Sequence, residues 1–148
     1  VVLSSFGRAA ALTKRISSRL PSECPIVNLD VTNQDDLDNL ASAVAEHVPY
    51  LDGVLHSIAY APESALGGNF LNTAWDDVKV ALEISAFSLK SLAVAVRPLM
   101  SERGGQILGL DQCGNGAPLL VGILPTQFQR LKVVSACFRT GSQQPQVK

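Results

Sequence analysis
Short apolar runs rich in β-branched residues alternate with amphipathic helical stretches along residues 1–111, and this alternation leaves few folds open. Residues 1–4 (Val-Val-Leu-Ser) read as a buried parallel strand. From Arg8 to Leu20, Ala9, Leu12, Ile16 and Leu20 recur at helical spacing, and Pro21 follows as a stop. Residues 25–31 (Pro-Ile-Val-Asn-Leu-Asp-Val) form a second strand signal. Thr32 and Asn33 are N-cap candidates for the next helix, and Asp35 and Asp36 suit the positive end of its dipole. Leu37, Leu40, Ala41, Val44 and Val48 give that helix one apolar face, which Pro49 ends. Residues 51–57 are a third strand, followed by a loop with Pro62, Gly67 and Gly68. Thr73 and Asp76 resemble a capping box. A long helical pattern then runs through Val78, Leu82, Leu89, Leu92, Ala93 and Val96 to Met100, with Pro98 distorting its last turn. Gly104-Gly105 turns the chain into a fourth strand over residues 106–111.

Strands joined through helices imply a parallel sheet with right-handed crossovers, hence an α/β, Rossmann-like three-layer fold. A length of 148 residues suits one domain with one core. Composition changes abruptly at Asp111, the last of the 13 acidic residues. Eight basic residues precede this point, for a net −5, and four follow it with no acid, for a net +4. Four scattered cations are too few for a nucleic-acid or membrane-surface patch, so residues 112–148 are expected to be an atypical, weakly structured tail. Apolar runs at 118–124 and 131–138 lack a period; a short helix around residues 127–137 is the expectation there. Cys24, Cys113 and Cys137 show no metal or disulfide spacing, which points to a reducing compartment. No run is long enough to cross a bilayer and the start lacks signal-peptide character, so a cytoplasmic protein is expected.

In open α/β sheets ligands sit at the carboxyl ends of strands. Asp30 closes one strand and is placed to accept a hydrogen bond from an adenine amine or a ribose hydroxyl, although an acidic residue there also serves a helix start. His56-Ser57-Ile58-Ala59 closes another strand with small residues that let a flat ligand approach the backbone. A lone His in such a place is more often structural than catalytic. Ser57 and His56 are adjacent and cannot face each other as nucleophile and base. His47 falls at a helix end, where a cation suits the dipole, and a surface role is expected. No GxGxxG phosphate loop is present, and Tyr50 and Tyr60 have no Lys at one-face helical spacing.

These residues, taken in order, resemble the NADH-dependent enoyl-[acyl-carrier-protein] reductases of the actinobacterial type, within the short-chain dehydrogenase/reductases. The resemblance rests on Ser5-Phe6, on Arg15-Ile16 through Arg19-Leu20-Pro21, and on Asn28-Leu29-Asp30-Val31-Thr32-Asn33. It continues through Leu51-Asp52-Gly53-Val54-Leu55-His56-Ser57-Ile58-Ala59, Ile84-Ser85-Ala86-Phe87-Ser88, Pro98-Leu99-Met100 and residues 104–111. It implies hydride transfer from NADH to the β-carbon of a trans-2-enoyl thioester in fatty-acid biosynthesis, with a Tyr stabilising the enolate and a Lys holding the nicotinamide ribose. Carried over position by position, it implies an NAD site in which Phe6 lies near the adenine and Asp30 and Val31 hold its ring. Ser57, Ile58 and Ala59 line the ribose and pyrophosphate region, and Ile84 sits on the adenine side. The family usually has Gly where Ala59 stands. Association into homo-oligomers through the segment from Trp75 to Met100 is also implied.

Against that family, the first strand with its glycine loop precedes the point where this chain begins, and no Tyr follows Tyr60 to partner Lys132. Gln112 replaces an expected aromatic, and the joint loss of resemblance and of acidic residues there is the kind of shift that a change of reading frame leaves. The expectation is therefore a partial dinucleotide-binding domain over residues 1–111, incomplete in its first strand and its C-terminal part, with no catalytic residue and no metal. The two strands flanking the missing one are expected to close up and pair, giving the order 25–31, 1–4, 51–57, 106–111. Function is expected to be that of an inactive enoyl reductase fragment acting on an acyl thioester only by resemblance. The alternative is a non-catalytic fragment that associates with a full-length reductase subunit.

Overall fold
A computed structural model of the chain describes residues 1–66, 70–100, 104–112, 118–126 and 130–137. The element order begins β1 (Leu3–Ser5), α1 (Ala9–Ser17), β2 (Ile26–Asn28), α2 (Gln34–Ala45) and β3 (Gly53–His56). It continues with α3 (Trp75–Leu82), a π-turn (Glu83–Phe87), α4 (Ser88–Val96), β4 (Gln106–Gln112), β5 (Pro118–Thr126) and β6 (Arg130–Cys137). β1 and β2 pair in parallel around α1, and β3 and β4 pair in parallel around α3 and α4. Both are strand–helix–strand units of a partial Rossmann-like α/β fold. No helix among the described residues is long and apolar enough to cross a membrane.

The best-determined helix start is that of α2. Asn33 keeps extended backbone (φ −97°, ψ 117°) and its side chain accepts the Asp35 N–H, satisfying one of the orphan donors of the first turn. Asp36, one residue on, accepts the Asp30 N–H at 2.8 Å and the Asn28 side-chain amide at 2.9 Å, so the end of β2 is tied to the first turn of α2. Leu37, Leu40 and Val44 form the buried stripe of α2, and Leu92 and Val96 that of α4. The two helices pack together, and their stripes join Val27, Leu29, Val31 and Ile107 in one core. The cap position of α3 is Ala74, one residue later than the expected box, and the Thr73 hydroxyl donates to the Ser64 carbonyl. Pro98 falls in a 3₁₀ turn over Arg97–Leu99, the distortion expected of it. Gly104 adopts φ 91°, which the turn into β4 requires and which side-chain-bearing residues rarely adopt.

Two expectations are corrected, and one helical face proves exposed. The strands flanking the missing position do not close up: β1 and β2 make a two-stranded sheet, and β3 begins a separate sheet of order β3-β4-β5-β6. The helix layer explains the separation. β2 is seated on α2 and β3–β4 on the core that α2 and α4 share, so drawing β1 onto β3 would pull buried side chains out of that core. The short helix expected around residues 127–137 is not formed, because Arg130–Cys137 is strand. Leu131, Val133 and Val134 favour extended backbone, and β6 pairs antiparallel with β5, which pairs antiparallel with β4. β5 is thereby laddered on both sides and β6 on one. Finally, the apolar stripe of α1 is not core: Leu12, Ile16 and Leu20 are 51%, 49% and 41% exposed, and only Ser17 of this helix is buried.

Because one small core joins both sheets, its central residues carry much of the stability. Leu40→Ala should cost about 2–5 kcal/mol in chemical denaturation, while Leu12→Ala on the exposed stripe should change stability by less than about 0.5 kcal/mol.

Candidate functional site
The carboxyl ends of β1, β2 and β3 converge on one cavity of about 330 Å³. Ser4, Ser5 and Phe6 reach it from β1, Leu29 to Thr32 from β2, Ser57 to Ala59 from β3, Ala9 and Thr13 from α1, and Ile84 from the π-turn. Convergence of strand ends is what strand–helix–strand units dictate, since each crossover returns the chain to the same sheet end. All seven residues singled out from the sequence border this cavity: Phe6, Asp30, Val31, Ser57, Ile58, Ala59 and Ile84. Ser4, Ser5, Ala9, Thr13, Leu29 and Thr32 were missed. The signal for Ala9 and Thr13 was their four-residue spacing at the start of α1, and for Ser4 and Ser5 their place at a strand end.

Asp30 is oriented by its own turn. Its Oδ1 accepts the Thr32 N–H at 2.9 Å and the Thr32 hydroxyl at 2.6 Å, an Asx-turn that holds the carboxylate at the cavity rim. Ser5 Oγ is buried and has no hydrogen-bond partner among the described residues. A buried hydroxyl without a partner costs free energy. The remaining walls are largely apolar, from Phe6, Val31, Ile58 and Ile84. A second hollow, about 480 Å³, lies at the opposite end of β2 and is lined by Lys14, Ser17, Glu23, Cys24, Pro25 and Ile26. Its buried hydroxyl is already satisfied: Ser17 Oγ donates to the Cys24 carbonyl at 2.8 Å and accepts the Cys24 N–H at 3.0 Å.

His56 does not open into the cavity as an acid or base. It is 3% exposed, and its Nε2 lies 2.7 Å from Ser88 Oγ. The Ser88 hydroxyl has a single proton and donates it to the Ile84 carbonyl at 2.6 Å. His56 Nε2 must therefore be the donor toward Ser88, which assigns the proton to Nε2. His47 is exposed, in line with a surface role. Tyr50 and Tyr60 are 55% and 49% exposed and neither borders the cavity.

Burial lowers the pKa of His56 from its ordinary value of 6.5, with a backbone hydrogen bond at His56 opposing the shift in part. The unfolded chain then takes up the proton first as pH falls. The contribution of this residue to stability is fully present above pH 6.5 and is lost as pH drops toward the folded pKa. Urea midpoints measured from pH 7.5 to 5 should fall across this window, and His56→Gln should flatten that part of the profile.

Residues 1–117 match the model of the family described as Enoyl-(Acyl carrier protein) reductase. The match runs past Asp111, where the resemblance read from the sequence ends. The chain is 42% identical over 115 residues to the NADH enoyl-[acyl-carrier-protein] reductase of Mycolicibacterium smegmatis, covering 75% of this chain and 42% of that protein. The corresponding protein of Mycobacterium avium is 40% identical over 114 residues, with the same coverages of 75% and 42%. That of Neisseria meningitidis is 36% identical over 102 residues, covering 68% of this chain and 39% of the relative. The chain thus spans about two fifths of the length of the curated relatives it matches. With the family match covering more than three quarters of its residues, and with the strand–helix–strand units that the match requires in place, the chain belongs to the enoyl-(acyl carrier protein) reductase family.

Proposed function
We propose that this chain carries the adenosine side of the NADH site of an enoyl-[acyl-carrier-protein] reductase and transfers no hydride by itself. The observation that carries this reading is the convergence of Phe6, Asp30, Val31, Ser57, Ile58, Ala59 and Ile84 on a single cavity at the strand ends. A volume of about 330 Å³ lies at the low end of the roughly 300–1,000 Å³ of small-molecule sites, which suits a nucleoside better than a whole dinucleotide. Phe6, Val31, Ile58 and Ile84 offer apolar surface to a flat ring. The Asp30 carboxylate, held by Thr32, can accept from an amine or a ribose hydroxyl. Bound NADH would supply a hydride for the β-carbon of an enoyl thioester. Within this sequence no glycine loop of the GxGxxG kind is available for the pyrophosphate, and no Tyr follows Tyr60 to steady an enolate. Binding without chemistry is the result.

Calorimetric titration with NADH and with 5′-AMP tests this reading. The two dissociation constants should agree within about threefold, because only the adenylate half is held. Asp30→Ala should weaken both about tenfold, the size expected for one charge-assisted hydrogen bond. Failure of both ligands to bind, or NADH-dependent turnover of a trans-2-enoyl thioester, would contradict the proposal.

A second reading is favoured by a different observation. Trp75, Leu82, Phe87 and Val94, along the α3–α4 stretch, are 69%, 53%, 58% and 59% exposed. Large apolar side chains exposed along one helical stretch mark an association surface, and a reductase subunit is the partner this reading names. Co-purification of the chain with a full-length enoyl reductase should be lost in Phe87→Asp/Val94→Asp; retention in that variant would argue against this surface.

A further inference from the structure
We propose that Ser85 and Ser88 are positioning residues, a pair of hydroxyl clamps that fix two stretches of the cavity lining, residues 57–59 and Ile84, to each other. The inference rests on the cavity being the nucleotide site proposed above, and it assigns a role to groups outside the set read from the sequence. Residues 57–59 form one cavity wall, and they are bracketed in the chain by His56 and Tyr60. Both brackets are bonded to the π-turn. Ser88 Oγ takes the His56 Nε2 proton at 2.7 Å and donates to the Ile84 carbonyl at 2.6 Å. Ser85 Oγ takes the Tyr60 N–H at 2.9 Å and donates back to the Tyr60 carbonyl at 2.9 Å. Each hydroxyl therefore spends its one proton and accepts one, with a fixed direction.

The π-turn makes this arrangement available. The Ser88 N–H bonds to the Glu83 carbonyl, five residues back. The Ile84 carbonyl, which a regular α-turn would give to that N–H, receives the Ser88 hydroxyl instead. Ile84, the residue whose carbonyl is so held, also lines the cavity. Ile84 and residues 57–59, two stretches of one lining, are thus held together by two serine hydroxyls three residues apart. The His56–Ser88 clamp is buried, where competing water is excluded, and the Ser85–Tyr60 clamp lies near the surface.

The test compares wild type with Ser85→Ala, Ser85→Thr, Ser88→Ala and His56→Gln by 5′-AMP titration, amide hydrogen exchange and thermal melting. Ser85→Ala should weaken 5′-AMP about threefold to tenfold, as expected for loss of one hydrogen-bonded anchor. It should also speed exchange at residues 84–89 while leaving the amides of α2 unchanged, which a general loss of stability would not do. Ser85→Thr, which keeps the hydroxyl, should restore both readouts, and His56→Gln, which keeps a donor amide, should bind more tightly than Ser88→Ala. If Ser88→Ala fails to fold, the Ser85 pair decides alone. Affinity and local exchange unchanged in Ser85→Ala would overturn the proposal. Should wild type bind no 5′-AMP, the nucleotide reading falls, and the clamp then stands or falls on exchange: faster local exchange in Ser85→Ala supports it and unchanged exchange overturns it.

Discussion
The packing of α2 against α4 is the contact on which the rest of the molecule depends. Leu37, Leu40 and Val44 on one helix meet Leu92 and Val96 on the other, and the strands β2 and β4 are seated on the result through Val27, Leu29 and Ile107. Strands in a sheet normally hold one another by ladder hydrogen bonds. Between β1 and β3 there is no ladder, so the helix pair fixes the relation of the two sheets.

The site is then a product of strand ends and of the turns that terminate them. Two kinds of interaction set it. The Asx-turn of Asp30 with Thr32 is short-range and near the surface, and orients a single carboxylate. The buried His56–Ser88 bond spans 32 residues and fixes one chain segment against another. In a region of low dielectric an unmade bond of the second kind is the costlier loss. Of the two, the buried pair is therefore the stronger constraint on the segment that it holds.

Features carried by local pattern were legible in the sequence. Asn33 before an acidic pair named the start of α2, and the stripe Leu37, Leu40 and Val44 named its buried face. The strand ends near Asp30 and His56 were readable, and with the family resemblance they named seven of the thirteen residues that line the cavity. Features set by tertiary partners were not legible. The stripe Leu12, Ile16 and Leu20 has the period of a core face, yet period alone does not supply a partner to cover it. The π-turn at Glu83–Phe87 inserts one residue's worth of register into a continuous helical pattern and leaves no propensity signal. β5 and β6 are apolar runs without alternation, and only their pairing with β4 and with each other distinguishes them from a buried helix. Sheet order likewise depends on which edges meet, which is a property of the helix layer beneath them.

The exposed face of α1 has a consequence for cooperativity. The segment from β1 to β2 joins the remainder chiefly through Val27, Leu29 and Val31, because α1 buries only Ser17 and β1 has no strand on its second side. Within that segment β1 and α1 can open while the α2–α4 core stays intact, at a free energy below that of global unfolding. Phe6, at the end of β1, belongs to that segment, whereas Ile84 is packed against the core. One wall of the cavity therefore belongs to a more weakly held unit than the other, and a ligand bridging the two would couple them into a single folding unit.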